Sequence, residues 1–103
     1  MTIDPVVLIN RMGVEPPNQA ALLDLLKHNV DTVVKTLPGW RSSRLIASRD
    51  GASVTIYSEW DSPEAVDAMR ADARMQAYLP RIRALANVES VVGAEVFCRE
   101  LET

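Results

Sequence analysis

The chain has 103 residues, of which 48% are hydrophobic and 24% charged, with a formal net charge of -3. This size and composition suit one soluble domain, with a core expected over about residues 5–99. The acidic balance without a basic run argues against nucleic-acid binding, and no apolar run approaches the ~20 residues of a membrane-spanning helix. The N-terminus lacks a basic region before an apolar stretch and Cys98 is the only cysteine, so we expect a cytoplasmic protein.

The first predicted element is a strand over residues 5–14. Its side chains alternate between two faces, and both faces are largely apolar, with Asn10 on one of them. A strand with two apolar faces needs cover on both sides. A chain of this length can provide helices for one side only, so we predict a homodimer in which two sheets pack face to face.

A helix is predicted over residues 19–37, where apolar residues recur at helical spacing. Asn18 is the expected N-cap, and Pro38-Gly39 is a typical helix end. His28, the only histidine, falls on the polar side of this helix. We interpret it as solvated rather than catalytic.

Residues 40–49 and 53–60 predict the second and third strands. The Asp50-Gly51 dipeptide between them is a strong hairpin turn signal. Tyr57 and Glu59 share the face of the third strand that is expected to meet the dimer partner. Trp60 lies on the other face, at the end of the strand.

Two helical segments and a last strand complete the chain. Ser62 is a plausible N-cap for a short helix over residues 63–71. A second helix is predicted over residues 74–86, with a kink or restart at Pro80. Residues 90–99 predict the last strand, in which Cys98 is expected to be a small buried thiol. The resulting order, βαββαβ, predicts an α+β ferredoxin-like fold with a four-stranded antiparallel sheet.

Asn10 and Trp60 are the polar-capable side chains expected to point from the sheet towards the helices. An amide and an indole N–H could orient a flat, oxygenated ligand if the space between sheet and helices is not filled. Alternatively, Trp60 plugs the end of the core and Asn10 pairs with backbone. The sequence has no His/Cys metal cluster, phosphate-binding loop or nucleophile elbow. Any catalysis would therefore depend on substrate chemistry, hydrogen bonds and a shaped cavity.

The chain resembles the antibiotic biosynthesis monooxygenase family over nearly its whole length, from residue 6 to residue 98. The segments that carry the resemblance are Ile9-Asn10-Arg11-Met12, Leu37-Pro38-Gly39-Trp40, Asp50-Gly51 and Tyr57-Ser58-Glu59-Trp60-Asp61-Ser62-Pro63-Glu64-Ala65. The resemblance implies a dimeric α+β barrel that oxidises electron-rich polycyclic phenols, such as anthrone-like intermediates, to quinones. It implies no cofactor and no metal, because the deprotonated substrate itself gives an electron to dioxygen. The implied partners are a second copy, a small aromatic substrate and O2.

The resemblance also suggests site residues. In quinone-forming members an Asn on the first strand matches Asn10 and a strand-end Trp matches Trp60, so these two are the predicted catalytic residues. Those members often carry a second Asn where this chain has Ile56, so one donor is missing. The predicted substrate contacts are Ile56, Met69, Tyr78 and Arg81, and Arg81 could hold an anionic oxygen or simply be solvated.

Two alternatives stay open. With Ile56 in place of a donor, the chain could be a ligand-binding or accessory member of the fold without catalysis. It could also be a heme-degrading member, since those enzymes use an Asn, a Trp and a downstream His. The last two positions fall near Met69 and Leu79, so only Asn10 matches that set.

Overall fold

The computed structural model describes residues 5–102. The elements are, in chain order, β1 (Val6–Val14), α1 (Gln19–Thr32), β2 (Trp40–Ala47), β3 (Ser53–Trp60), α2 (Pro63–Ala71), α3 (Ala73–Arg83) and β4 (Ala86–Gly93). The strands form one sheet in the order β2-β3-β1-β4, and each neighbouring pair is antiparallel. This arrangement confirms the predicted α+β ferredoxin-like fold. Within the described range, no helix has both the length and the apolar character needed to cross a membrane.

The hairpin between β2 and β3 forms at the predicted turn. Gly51 has a φ of +78°, a conformation that glycine adopts without a steric cost. The Asp50 carboxylate accepts hydrogen bonds from the Ala52 amide at 2.9 Å and the Ser48 hydroxyl at 2.7 Å. These two bonds, the Ala52 amide first, hold the pKa of Asp50 below its ordinary value.

A tight contact joins the turn before β2 to the start of α2. Gly39 has a φ of +84°, and a Cβ placed there would lie 2.6 Å from the Ala65 Cβ. The Ser62 side chain accepts from the Ala65 amide at 3.2 Å and caps α2, as predicted. Two segments that carry the family resemblance therefore meet in space at Gly39 and Ala65.

The first helix is shorter than predicted. It ends at Thr32 rather than residue 37, and Val33 leaves helical geometry at φ -123° and ψ -61° before a 3-10 turn at Val34–Thr36. Consecutive residues of a continuous helix point about 100° apart. The break allows the adjacent Val33 and Val34 to be buried together. Asn18 occupies the N-cap position, as predicted, but its side chain makes no capping hydrogen bond.

The third helix begins at Ala73 and is capped by Asp72, whose carboxylate accepts from the Arg74 and Met75 amides at 2.8 and 3.2 Å. The Arg74 side chain, followed by these backbone bonds, lowers the pKa of Asp72. The helix continues through Pro80 and ends at Arg83, so of the predicted kink or restart at Pro80 the restart does not occur, and the predicted end at residue 86 was too late.

The predicted position of the last strand was wrong. β4 pairs with β1 from Ala86 opposite Val14 to Gly93 opposite Val7, and the strand ends at Gly93. Residues 94–102 therefore lie outside the sheet, with Val96 94% and Phe97 74% exposed. Cys98 is exposed as well, which corrects the expectation of a buried thiol.

The covered face of the sheet packs against the helices in two separate hydrophobic clusters. One surrounds Leu8 and Trp60 and includes Val66 of α2. The other surrounds Leu26 of α1 and Val54 of β3. Between the two clusters the covered face carries polar residues, and there the packing is open.

Candidate active site

A cavity of about 720 Å³ lies between the sheet and the helices, with the two hydrophobic clusters at its ends. Its volume is in the range of pockets that hold a small organic molecule. The sheet residues that line it are Leu8, Asn10, Met12, Ser43, Ile56, Ser58, Trp60, Ala86, Asn87, Val88 and Ser90. The helices add mainly apolar side chains. The arrangement suits a flat apolar ligand that has polar groups near its centre.

Asn10 lies on the cavity floor, at the middle of β1. Its cross-strand neighbours are Ile56 on β3 and Ser90 on β4. The Ser90 hydroxyl donates to the Asn10 Oδ1. No group of the described residues accepts a hydrogen bond from Nδ2, so the amide N–H2 is available to a ligand oxygen.

Trp60 forms one end of the cavity and is 1% exposed. Its indole N–H donates to the Ser58 Oγ at 3.1 Å, and the Ser58 hydroxyl donates to the Leu8 carbonyl at 3.2 Å. The indole N–H is therefore already satisfied inside the fold. The expectation that Trp60 could donate to a substrate needs this correction, because what it offers a ligand is the apolar surface of its ring.

The other predicted substrate contacts divide into two pairs. Ile56 and Met69 line the cavity, whereas Tyr78 and Arg81 do not. Tyr78 turns from the cavity towards α1, where its hydroxyl is 3.4 Å from the Thr32 Oγ1. The Arg81 guanidinium carbon lies over the Tyr78 ring, 5.3 Å from its centroid, and the side chain is exposed. The cavity side of α3 instead includes Met75, Leu79 and Ile82.

Asn29 is a buried polar cavity residue that was not identified from the sequence. Asn29 of α1 is 5% exposed, and its Nδ2 donates to the Met75 Sδ at 3.4 Å. A signal was present, because Asn29 interrupts the apolar series of Leu22, Leu26 and Val33 on the buried side of α1.

Among the described residues, the charged side chains that line the cavity are positive. Arg70 and Arg83 line it, and none of the lining residues is an Asp, Glu, Lys or His. Positive charge near a bound phenol favours its ionised form. His28 lies on the exposed side of α1, where its ring is 6.4 Å from that of Tyr78.

The protein is of the α+β class, with a ferredoxin-like fold and an amide-bearing apolar cavity between sheet and helices that is suited to a small molecule. The family model of the antibiotic biosynthesis monooxygenases matches residues 5–81. The chain belongs to this family and is an oxidoreductase. It is 32% identical over 88 residues to the tetracenomycin-F1 monooxygenase of Streptomyces glaucescens, which covers 85% of this chain and 79% of that protein.

Two solved structures have the same fold. A monooxygenase from the gene ActVA-Orf6 of Streptomyces coelicolor, in complex with nanaomycin D, superposes with a TM-score of 0.84 at 23% identity, covering 97% of this chain and 94% of that chain. SnoaB, a cofactor-independent oxygenase from Streptomyces nogalater, superposes with a TM-score of 0.74 at 20% identity. The match covers 95% of this chain and 96% of that chain. At these identities the likeness concerns the fold.

Proposed function

We propose that the protein is a cofactor-independent monooxygenase that oxidises an electron-rich, polycyclic phenolic substrate with O2. Support comes from family membership, from the relation to a monooxygenase of tetracenomycin F1 and from the cavity around Asn10. For an anthrone the reaction balances as substrate plus O2 giving quinone plus water. The ring CH2 loses two hydrogens and gains one oxygen atom, and the second oxygen atom leaves as water.

In this proposal the residues of the cavity bind the substrate as its enolate or phenolate. The Asn10 Nδ2 hydrogens donate to the substrate oxygen, and Arg70 and Arg83 stabilise its negative charge. Ile56, Trp60 and other apolar side chains hold the rings and exclude water. The bound anion transfers an electron to O2, the two radicals combine to a peroxide, and loss of water leaves the quinone.

We also propose that the working form is a homodimer joined through the face of the sheet that carries no helices. That face bears Ile9 and Tyr57, which are half-buried, and Ile46 and Val91, which are 54% and 63% exposed. In one chain these apolar side chains lie side by side on neighbouring strands. A second copy with the same face would remove them from water. Sedimentation equilibrium measures this association directly.

The observation that carries the proposed activity is the cavity in which Asn10 has a free N–H2 group. The test is oxygen uptake with an anthrone or hydroquinone by protein stripped of metal and flavin. We expect oxidation well above the spontaneous rate, with one quinone formed per O2 consumed. Rates equal to the spontaneous rate across a panel of phenols would refute the proposal.

One observation favours a second function. Ile56 is apolar and stands beside Asn10 across β1 and β3, where quinone-forming relatives are expected to have a second amide. The protein would then bind an aromatic ligand without oxidising it. Tight binding of a hydroxyquinone together with an uptake rate equal to the spontaneous rate would establish this function instead.

A further inference from the structure

Asn29 is an unusual residue for its position in two respects, its place within a helix and its burial. Asn is a poor helix former because its side chain competes for backbone hydrogen bonds, yet Asn29 lies in the last turn of α1. A buried amide is also costly unless it is well hydrogen-bonded. Asn29 is 5% exposed and occupies a position on the core side of the helix. Such exceptions to local preference are expected at functional sites.

The hydrogen bonding of Asn29 leaves most of its polar capacity unused. Its Nδ2 donates to the Met75 sulfur, and a thioether is a weak acceptor. Among the described residues, no donor reaches the Asn29 Oδ1, and no buried side-chain oxygen or nitrogen lacks a partner. The Oδ1 is therefore not completely shielded by the surrounding protein atoms. Because Asn29 lines the cavity, the space that its amide can reach is the cavity itself.

From this geometry we infer that Asn29 is a substrate-binding residue, whose Oδ1 accepts a hydrogen bond from a hydroxyl group of the bound aromatic ligand. Asn10 projects from the sheet and Asn29 from α1, so the two amides approach the ligand from different layers of the fold. Asn10 offers donors, whereas Asn29 offers an acceptor. The cavity thus selects polycycles that carry a hydroxyl group in addition to the oxygen held by Asn10. The aromatic nature of the ligand rests on the proposed function.

A matched pair of ligands and a matched pair of variants test this inference. The ligands are a hydroxylated anthraquinone and the same compound with that hydroxyl replaced by hydrogen, neither of which can be turned over. The variants are Asn29→Leu and Asn18→Leu, the latter on an exposed residue immediately before the same helix. Dissociation constants come from fluorescence titration, and melting temperatures are measured alongside.

We expect the unsubstituted protein and Asn18→Leu to prefer the hydroxylated ligand by about tenfold, the contribution of one hydrogen bond. In Asn29→Leu this preference should disappear while the melting temperature is unchanged or higher, because leucine restores the apolar stripe. A purely structural role for Asn29 would instead lower the melting temperature and leave the preference intact. Preference retained by Asn29→Leu, or absent from the unsubstituted protein, overturns the inference.

Oxygen uptake separates this inference from the proposed function. Binding with the expected preference but without oxidation would refute the oxygenase and retain the role of Asn29. Oxidation with a preference that does not depend on Asn29 would retain the oxygenase and refute the role of Asn29.

Discussion

The two faces of the sheet differ in how their apolar side chains are covered. Both present apolar side chains from β1 and β3, but the covered face has polar groups at its centre, including Asn10 and Ser58, and the open face has Ile9 and Tyr57 there. Helices close over the ends of the covered face and leave a cavity over its polar centre. The difference indicates that polar residues in the middle of a face keep a pocket open, whereas an apolar middle favours a flat contact with another surface.

The largest expected effect is on the covered face. Replacing Asn10 by Leu removes the donor for the substrate anion, and we expect kcat/KM for oxygen uptake to fall about 100-fold or more. The melting temperature should change little, because the described partner of Asn10 is the exposed Ser90.

Asn10→Asp sharpens the same test. It preserves the shape of the side chain but places a negative charge beside the enolate, so it should be at least as inactive as Asn10→Leu. An Asp variant as active as the unsubstituted protein would contradict the assignment of Asn10 as a donor and suggest that the position holds a base.

The open face is tested by two adjacent residues of β4. Val91 lies on the open face opposite Ile9, and Val92 lies on the covered side opposite Leu8. In Val91→Glu a carboxylate would be buried at the interface, so we expect self-association to weaken about 100-fold. Val92→Glu should associate like the unsubstituted protein. Equal effects of the two variants in sedimentation equilibrium would be inconsistent with a dimer through this face.

A third comparison uses one glycine that packs closely against a helix and one glycine that has open space beside it. Gly39 has a positive φ and touches Ala65 beneath α2, whereas a Cβ at Gly13 would meet nothing within 4 Å. Gly39→Ala should therefore lower the free energy of unfolding by about 1–3 kcal/mol, through backbone strain and the contact with Ala65. Gly13→Ala should leave it unchanged or raise it by up to about 1 kcal/mol, because alanine loses less backbone freedom in a strand than glycine. Urea denaturation of both variants provides the comparison.

These contrasts also explain which parts of the structure were predictable from the sequence. The positions of β1 and β3 were predicted well because both faces of each strand carry residue types that are typical of a covered strand, and because turn residues mark the ends. The end of α1 was not, since Val33 and Val34 fit a helical pattern but are buried through a break in it. The register of β4 depends on the length of β1, and the place of Asn29 in the cavity depends on how the helices pack on the sheet. Neither is a local property of the sequence.

A smaller effect concerns the positive charge around the cavity. Replacing Arg83 by Gln should raise the apparent pKa of substrate ionisation in the pH profile of kcat/KM, by roughly half a unit because this side chain is exposed. Arg49→Gln, an exposed change beyond the end of β2, is the control and should not move the profile. A profile unchanged in Arg83→Gln would show that this guanidinium does not act on the bound substrate.

The smallest effect should be seen in acid, at the cap of α3. The pKa of Asp72 is lowered in the folded chain, so its contribution to stability is present above its ordinary pKa near 4 and is lost as the pH falls towards the folded value. Asp72→Asn keeps an oxygen for the Arg74 and Met75 amides but cannot titrate. Its melting temperature should therefore fall less between pH 5 and pH 3 than that of the unsubstituted protein. Asp50, whose pKa is also lowered, contributes the same dependence in both proteins.

Because Met75 and other residues of α3 line the cavity, acid should weaken ligand binding before it affects the open face. Loss of self-association at a higher pH than loss of binding would reverse that order and contradict this view of the two faces.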